Sequence, residues 1–509
     1  MKILKLLFSK IFISALALLI QVALFAAVLL FFETYFAVFQ LFCAVLGIAV
    51  FLGIVNKKES PEFKLPWIAI ILLLPFFGLV IYCMFANSKM PEKQYRRMVG
   101  IACRCKKYAE LTESENDDIR ETLGGYYGAE SYLRRTSFTR GHLKNEVRYF
   151  PTGEEFYADL LKELEKAEKF IFMEYFIIDY GKMWNGIYDI LLRKARSGVE
   201  VRVMYDDIGT AGLLKSNYCK KLKKDGINCR KFNPFRPVVS GIHNNRDHRK
   251  ITVIDGKTAY TGGVNVADEY INETERFGHW KDTAVRIRGS AVSNLTQLFL
   301  QMFDAGHTAD EDYEKYLGIE YEAFEEGGCV HPFGDGPKPF YKELAGANNY
   351  INIINCAKNY VYITTPYLIP DYNIVSALRA AAIRGVDVRI ITPHRPDKKI
   401  IFNMTRSNYK YLLEAGVKIY EYTPGFIHAK SAVADGEIAF VGTINFDYRS
   451  LVHHYECGVT LFKTPCIADI KADLDETLAL SQEITIENFK MGFFASLVTS
   501  VLNLFSPML

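Results

Sequence analysis

The sequence predicts an α/β protein made of two related lobes with mixed sheets, preceded by transmembrane helices. Three observations lead to this fold class: long uncharged apolar stretches in the first 90 residues, alternating helical and strand patterns after them, and a motif that returns 180 positions later. The chain has 509 residues, which allows about three units at roughly 150 residues per unit.

Residues 11–32, 34–56 and 65–88 contain no Asp, Glu, Lys or Arg, and each stretch is 22 to 24 residues long. A helix rises about 1.5 Å per residue, so each stretch matches a hydrocarbon layer of roughly 30 Å. We therefore expect three transmembrane spans. The first stretch is too long for the apolar part of a secretory signal. Basic residues flank the spans on every side, so the membrane face that carries the remaining chain stays open.

Composition excludes several classes of protein. Hydrophobic residues make up 50% of the chain and aromatic residues 14%, which excludes a mainly disordered chain. The formal net charge is only +3, so no global field indicates binding to nucleic acid. The 10 cysteines lack the short repeated spacing of a disulfide framework, and the Cys103/Cys105 pair lacks a second pair of zinc ligands.

After the apolar region, the composition becomes that of a soluble α/β protein. Apolar residues at helical spacing in 155–169 and 187–197 alternate with apolar runs at 170–178 and 199–205, which predicts helices packed on a sheet with parallel pairing. We expect the following parts: a linker at 91–140, a first lobe at 141–306, an inter-lobe linker at 307–339, a second lobe at 340–485, and a membrane-associated helix lying in the headgroup region at 486–509.

The repeated motif is the strongest signal in the sequence. The pattern H-x-K-x4-D with a downstream Gly and Asn occurs twice, as His248, Lys250, Asp255, Gly262 and Asn265, and as His428, Lys430, Asp435, Gly442 and Asn445. Every pair is separated by 180 positions, for example 428 minus 248. One such motif would be weak, but two copies at equal offsets predict two lobes of one fold. In a strand, His and Lys at i and i+2 project to the same face.

This set of residues suits cleavage of a phosphodiester, whose charged oxygens must be neutralised. Two lysines and two asparagines supply that neutralisation. Two imidazoles, with an ordinary pKa near about 6.5, supply a neutral nucleophile and a protonated general acid. Asp255 and Asp435 either orient an imidazole or anchor the turns before Gly256 and Gly436. The sequence contains no H-E-x-x-H motif, EF-hand loop or P-loop, so we expect neither a metal nor a cofactor.

The two half-sites resemble the phospholipase D superfamily and, within it, the bacterial cardiolipin synthases. The resemblance rests on residues 243–256 with Gly262 to Asn265, on residues 425–430 with 442–450, on Thr365-Pro366-Tyr367 and on the closing residues 504–509. It covers the chain from about Val55 to the C-terminus. Thr443 stands where that family usually has Ser, and His454-Tyr455-Glu456 stands where it often has Asn-Phe-Glu. The three predicted spans exceed the family's usual two.

The resemblance implies two phospholipase-D-like lobes in a multi-pass protein of a bacterial cell membrane. It also implies transfer of a phosphatidyl group from one phosphatidylglycerol to another, with release of glycerol and formation of cardiolipin. The residues take the following roles: His248 as nucleophile and His428 as general acid and then base, or the reverse; Lys250, Lys430, Asn265, Asn445 and Thr443 as phosphate-binding residues; and Asp282 and Glu456 as orienters of the imidazoles, or as partners in surface salt bridges.

Several alternatives remain at this point. Water as the acceptor would make a phospholipase D type hydrolase with the same residues, and another alcohol would make a different phosphatidyltransferase. A membrane-tethered nuclease and a scaffold with a relic site are further alternatives. We expect phosphatidylglycerol and anionic membrane lipids as partners, with no nucleic acid. Each lobe supplies one half-site, so the site does not require a dimer, and the oligomeric state stays open.

Overall fold

The structure, a computed structural model, describes residues 36–86, 90–234, 244–306 and 312–508, together with Leu19, Val22, Ala23 and Ala26. Of these residues, 36–86, Asn244 and 504–508 belong to one unit, and 90–234 and 245–503 belong to another. Both copies of the repeated motif lie in the second unit.

The α-helices of the described residues have the following bounds: Phe36–Val55, Pro61–Leu73, Pro75–Phe85, Glu92–Ala109, Glu113–Leu123, Tyr127–Ser137, Gly153–Leu164, Lys182–Arg196, Tyr218–Lys224, Val292–Ala305, Glu314–Leu317, Ala345–Cys356, Tyr372–Ile383, Lys399–Ser407, Tyr409–Leu413, Ile467–Ala479 and Phe493–Phe505. The strands are β1 (His142–Leu143), β2 (Glu146–Phe150), β3 (Phe170–Tyr175), β4 (Glu200–Asp206), β5 (Asn228–Phe232), β6 (Lys250–Ile254), β7 (Thr258–Gly262), β8 (His279–Lys281), β9 (Ala284–Arg288), β10 (Cys329–Asp335), β11 (Tyr360–Thr364), β12 (Leu368–Ile369), β13 (Asp387–Pro393), β14 (Lys418–Tyr422), β15 (Gly425–Ile427), β16 (Ser431–Ala434), β17 (Ile438–Gly442), β18 (Phe446–Asp447), β19 (Glu456–Phe462) and β20 (Ser481–Ile484).

The observed N-terminal helices differ from the predicted transmembrane spans. The span predicted at 11–32 lies outside the described residues except at the four single positions, and the second corresponds to Phe36–Val55. The span predicted at 65–88 is interrupted at Leu74, whose φ of −135° and ψ of 72° are not helical. Pro75 explains the interruption, because proline disfavours the helical conformation in the residue before it. No helix in the described part of the chain combines the length and apolar character needed to cross a membrane.

The segment 91–140, predicted as a linker, is mostly helical and joins the core. Its first helix, Glu92–Ala109, buries Met98, Ile101 and Cys105. These residues are three and four positions apart and therefore lie on one face of the helix. They belong to the same apolar cluster as the helix Val292–Ala305. The many basic residues on the opposite face hide this pattern in the sequence.

The first lobe contains a seven-stranded sheet in the order β2-β9-β7-β6-β3-β4-β5. The pairs β3/β4 and β4/β5 are parallel, and the other four pairs are antiparallel. The predicted parallel pairing is therefore confirmed for the alternating helix and strand segments only. The strand hairpin β6–β7, which follows His248, joins the sheet in the antiparallel direction and makes it mixed.

The second sheet repeats this order. It contains nine strands in the order β1-β10-β19-β17-β16-β11-β13-β14-β20. Without its two edge strands, β1 and β20, its strand order and directions match those of the first sheet pair by pair. The sequence repeat is thus a structural repeat, and β6 of the first sheet corresponds to β16 of the second.

The inter-lobe segment is less irregular than predicted. The range 307–339, predicted to be a linker, contains the helix Glu314–Leu317 and the buried strand β10 of the second sheet. Residues 307–311 lie outside the described part of the chain. Pro332 and Gly334 lie within β10, and these residue types usually indicate turns. The composition of this segment therefore concealed a strand.

Three apolar clusters form the core of the lobes. One packs beneath the first sheet, one packs beneath the second, and the largest contains residues of both sheets, such as Phe172 and Val441, with the helix Val292–Ala305. The predicted C-terminal segment 486–509 contains the helix Phe493–Phe505, in which Phe493, Phe494 and Leu497 are exposed.

Candidate active site

The first histidine is held by the opposite lobe through its backbone and its ring. The backbone N–H of His248 donates to the carbonyl of Tyr455 at 2.9 Å, and the N–H of Tyr455 donates to Arg246 at 2.8 Å. The imidazole Nδ1 lies 2.9 Å from each carboxylate oxygen of Glu456. The Thr443 hydroxyl donates to the same carboxylate, which is fully buried.

The second histidine makes the corresponding contacts with the roles of the two lobes exchanged. Strand β15 pairs in parallel with β8 of the first lobe, and the backbone N–H of His428 donates to the Lys281 carbonyl at 2.7 Å. Its Nδ1 lies 2.6 Å from the Oδ2 of Asp282, a fully buried carboxylate of the first lobe. Each lobe therefore provides one histidine and the carboxylate that faces the other histidine. This geometry is not that of a surface salt bridge.

The two histidines lie just before their strands rather than within them, because β6 begins at Lys250 and β16 at Ser431. The i and i+2 spacing still brings each lysine to its histidine. Lys250 donates from Nζ to the carbonyl of His248 at 2.6 Å, and Lys430 donates to the carbonyl of His428. Lys430 Nζ also lies 2.8 Å from Nδ1 of His428.

Burial dominates the electrostatics of the cationic groups. It lowers the pKa of His248 to about 3 and that of His428 to about 4, although Glu456 and Asp282 act in the opposite direction. It also lowers the pKa of Lys250 to about 8 and that of Lys430 to about 7. Both imidazoles are therefore neutral at pH 7, whereas an ordinary histidine would be partly protonated.

In the two carboxylic acids, neighbouring groups outweigh the effect of burial on the pKa. Burial alone would raise the pKa of Glu456, but the adjacent His248 more than compensates and holds it below the ordinary value. Burial would likewise raise the pKa of Asp282, and His428 together with Lys430 lowers it. Both groups are therefore carboxylates that accept a hydrogen bond from an Nδ1–H. This contact leaves the lone pair of each neutral ring on Nε2.

The two half-sites act on each other electrostatically. The Lys250 ammonium, in the first lobe, lowers the pKa of both His428 and Lys430 in the second. Lys250 also lies within range of both carboxylates, Glu456 and Asp282, each of which acts to raise its pKa. The sequence motifs thus come together in one charged cluster at the junction of the two lobes.

Asp255 and Asp435, grouped with the catalytic residues of the motif, have hydrogen bonds that favour the second of their two predicted roles. Each follows a strand, adopts a φ of 53°, and accepts hydrogen bonds from three consecutive backbone N–H groups of a neighbouring segment. Asp255 accepts from residues 168–170 and Asp435 from residues 358–360, at distances of 2.6 to 2.9 Å. The hydrogen bonds of Asp255 anchor its turn to the start of β3, and those of Asp435 anchor its turn to the start of β11.

The three uncharged side chains among the predicted phosphate-binding residues differ in their surroundings. Asn265 accepts from the Ile177 backbone N–H at 3.1 Å and donates to the Tyr270 hydroxyl at 2.7 Å. Thr443 accepts from the Cys457 N–H at 3.0 Å and donates to Glu456, so it holds the carboxylate beside His248. Asn445 keeps a buried amide oxygen without a hydrogen-bond partner among the described residues.

Sequence reasoning missed four rings that surround the imidazoles. Phe176 meets His248 edge-on with ring centroids 5.0 Å apart, and Tyr270 and Trp280 lie 5.4 and 5.5 Å from His428. The ring of His454 lies 5.6 Å from that of His248. None of these residues belongs to the repeat. The one sequence feature that pointed to any of these rings is His454, which stands two positions before Glu456 where the family often has Asn.

Two family models match parts of the chain. The chain matches the family model described as cardiolipin synthase, PLD-like domain, over residues 160–303 and 350–478. Residues 45–86 match a model described as phospholipase D-nuclease N-terminal.

Similar proteins span almost the whole chain. It is 35% identical to the cardiolipin synthase of Alkalihalophilus pseudofirmus over 470 residues, which cover 90% of this chain and 92% of that protein. It is 34% identical to the cardiolipin synthase of Halalkalibacterium halodurans, with 90% and 92% covered. An uncharacterized protein of Streptococcus mutans is 43% identical, with 90% and 99% covered.

The fold also resembles a solved structure, the phosphatidylserine synthase of Haemophilus influenzae. The TM-score is 0.56 at 14% identity, and the match covers 76% of this chain and all of that one, 100%. This likeness concerns the fold. On the strength of the family model and the relatives, the chain belongs to the family of cardiolipin synthases with phospholipase-D-like domains.

Proposed function

We propose that this protein transfers a phosphatidyl group from one phosphatidylglycerol to another, giving cardiolipin and glycerol. The observation that carries the proposal is the crossed pairing of His248 with Glu456 and of His428 with Asp282 across the two lobes. An anion bound at this crossing would face two imidazoles and two ammonium groups, which matches the needs of a phosphodiester. The relatives named cardiolipin synthase support this substrate class.

In the first step, Nε2 of His248 attacks the phosphorus of the first phosphatidylglycerol. His428 takes up a proton from solvent when the anionic substrate binds beside it. A P–N bond forms and the bond between phosphorus and the glycerol oxygen breaks, while protonated His428 gives its proton to that oxygen. Glu456 favours this step because its carboxylate accepts a hydrogen bond from the Nδ1–H of His248. The carboxylate also stabilises the positive charge that develops on the ring. Glycerol then leaves, and a phosphatidyl group remains on His248.

In the second step, a hydroxyl of another phosphatidylglycerol is the nucleophile. His428, now neutral, takes the proton of this hydroxyl while the oxygen attacks phosphorus and the P–N bond breaks. One phosphodiester is lost and one is formed, so the exchange needs no nucleotide. The scheme requires no metal or cofactor, because the protein's own side chains supply nucleophile, acid and charge.

The low pKa of His428 is consistent with this scheme once substrate binds. A bound phosphodiester brings a negative charge next to both imidazoles, and a nearby opposite charge raises the pKa of a histidine. The same anion stabilises the protonated forms of Lys250 and Lys430, whose pKa values burial lowers. In this proposal Asn445 binds phosphate through its amide N–H groups, as its place in the motif implies, whereas Asn265 and Thr443 contact neighbouring groups of the site.

We also propose that the protein is held in the bacterial cell membrane, in a multi-pass arrangement. Support comes from apolar side chains on the protein surface. In the helix Phe36–Val55, Leu41, Phe42 and Val45 are each at least 60% exposed, and in the helix Phe493–Phe505 Phe493 and Phe494 are more than 75% exposed. Such surfaces are stabilised in lipid. Retention in the membrane pellet after alkaline carbonate extraction is expected, and release into the supernatant would contradict embedding.

The transfer itself is tested with the purified full-length protein in phosphatidylglycerol vesicles. We expect cardiolipin and glycerol in equal amounts, and neither product from the His248→Asn variant. Phosphatidic acid in place of cardiolipin would identify a hydrolase. If no cardiolipin forms and a different phospholipid appears only when another alcohol is added, the acceptor differs from phosphatidylglycerol. Cleavage of nucleic acid without lipid turnover would contradict a lipid substrate.

A further inference from the structure

A third imidazole lies beside the catalytic pair in this protein. His454 is 9% exposed, and its Nδ1 is 3.8 Å from Oε1 of Glu456, which is too long for a hydrogen bond. Both ring nitrogens are buried without a hydrogen-bond partner among the described residues. Buried polar atoms of this kind are costly unless something binds them.

The surroundings of His454 resemble a set of metal ligands. One donor atom each from His248, His454 and Glu456 lies within 4.8 Å of the others. Two imidazoles and a carboxylate are a common ligand set for zinc and similar divalent ions, with bonds of about 2.0–2.2 Å. The donors of one tetrahedral ion lie roughly 3–4 Å apart, so the most widely separated of the three donors need to approach each other by about 1–2 Å.

We propose that His454, Glu456 and His248 form an inhibitory site for Zn²⁺ or a similar transition-metal ion. The inhibition follows from the tautomer of His248. In the free enzyme the ring carries its proton on Nδ1, next to Glu456, and its lone pair on Nε2. Coordination through Nδ1 uses that nitrogen's lone pair, so the single proton of the neutral ring moves to Nε2. The nitrogen that attacks phosphorus then has no free lone pair.

The charges of the ligands and of Lys250 favour reversible binding of the metal ion. Glu456 contributes one negative charge, and both histidines are neutral ligands, so the bound ion keeps one positive charge. The Lys250 ammonium donates to the carbonyl of His248 at 2.6 Å and therefore opposes a second cation beside that residue. We expect a site that a chelator empties, in contrast to a structural zinc site. The inhibition part of this inference rests on the proposed function, whereas metal binding itself does not.

Metal binding is measured first, without an activity assay. Full-length protein in detergent is freed of metal with a chelator and titrated with Co²⁺, whose visible absorption reports nitrogen coordination, and with Zn²⁺ by equilibrium dialysis. We expect one equivalent at this site, with an affinity at least roughly ten-fold lower in His454→Asn, because even the loss of an outer partner of a metal ligand costs roughly 10–100-fold. His394→Asn is the matched control, since His394 is half-exposed and pairs with Glu421.

Inhibition is measured next, in phosphatidylglycerol vesicles. Zn²⁺ should inhibit the wild type and the His394→Asn variant, with recovery on adding a chelator, and roughly ten-fold more Zn²⁺ should be needed for His454→Asn relative to its own metal-free rate. Equal Co²⁺ spectra and Zn²⁺ affinities in wild type and His454→Asn would overturn the metal site. Normal metal binding in a protein that makes no cardiolipin without metal would instead contradict the proposed function.

Discussion

The Nδ1 of His248 lies 2.9 Å from both carboxylate oxygens of Glu456, although the two residues belong to different lobes. His428 and Asp282 repeat this relationship in the opposite direction at 2.6 Å. Each histidine therefore depends on the other lobe for the tautomer that leaves Nε2 free. The lobes form one site because neither repeat contains both members of a pair.

Replacing Glu456 with Gln should reduce phosphatidyl transfer by roughly 10²–10⁴-fold, because the neutral amide no longer stabilises positive charge on the imidazole. The loss should appear in kcat with little change in KM, measured as cardiolipin formed per minute. The exposed Glu155→Gln variant is the control. A Glu456→Gln enzyme with normal kcat would contradict the orienting role.

The Thr443 hydroxyl should contribute through Glu456. Thr443→Ser keeps the donor and is expected to retain activity within about three-fold, whereas Thr443→Val removes a hydrogen bond to a charged group worth about 1.5–3 kcal/mol, or roughly 10–100-fold in rate. Both variants are compared by initial rate in vesicles. Equal rates for Ser and Val would show that the hydroxyl does not support the carboxylate.

Asp255 should affect stability more than chemistry. Asp255→Ala removes three hydrogen bonds between a carboxylate and backbone N–H groups, and we expect a loss of about 3 kcal/mol in the free energy of unfolding. Thermal unfolding reports this loss, and the exposed Asp189→Ala variant is the control. The kcat per folded molecule should stay close to the wild-type value. A normal melting temperature with abolished kcat would restore a catalytic role.

The buried histidines should make the protein sensitive to acid. Their pKa values in the folded state, about 3 for His248 and about 4 for His428, lie below the ordinary value of the unfolded chain, near about 6.5. Between these limits the unfolded state binds more protons, so stability falls as the pH drops from about 6.5 towards 4. The stability that the two neutral histidines contribute is fully present only above about pH 6.5.

The His428→Asn variant isolates one of these contributions. Its melting temperature should fall less steeply than that of the wild type between about pH 6.5 and pH 4.5, a window above the titration range of Asp282. His394→Asn, which alters a half-exposed histidine, is the matched control. Identical slopes in wild type and His428→Asn would mean that His428 is not neutral in the folded protein.

Local patterns in the sequence predicted the repeat, the mixed fold and the residues that converge. The equal offset of 180 positions identified His248 with His428 and Lys250 with Lys430, and the two sheets have the matching strand order. The crossing of Glu456 to His248 depends on packing between lobes, which no local spacing encodes. The sequence leaves open whether Asp255 orients an imidazole or anchors a turn, because its position in the motif does not reveal its backbone partners.

Three other elements differ between the sequence prediction and the structure, each for a physical reason. The apolar composition of 65–88 suggested one continuous helix, but the local conformational effect of Pro75 divides it. The helix Glu92–Ala109 has a basic exposed face that concealed its buried stripe. Strand β10 contains Pro332 and Gly334, so its pairing with β19 overrides the turn propensity of its residues.

We propose that one histidine carries the phosphatidyl group while the other moves the proton. The most direct measurement is mass spectrometry of peptides from protein quenched during turnover with phosphatidylglycerol, under conditions that preserve phosphohistidine. We expect a phosphatidyl adduct on His248 in the wild type and no adduct in the His248→Asn variant. Cardiolipin formation with no adduct on His248, or with an adduct on His428 instead, would contradict the account.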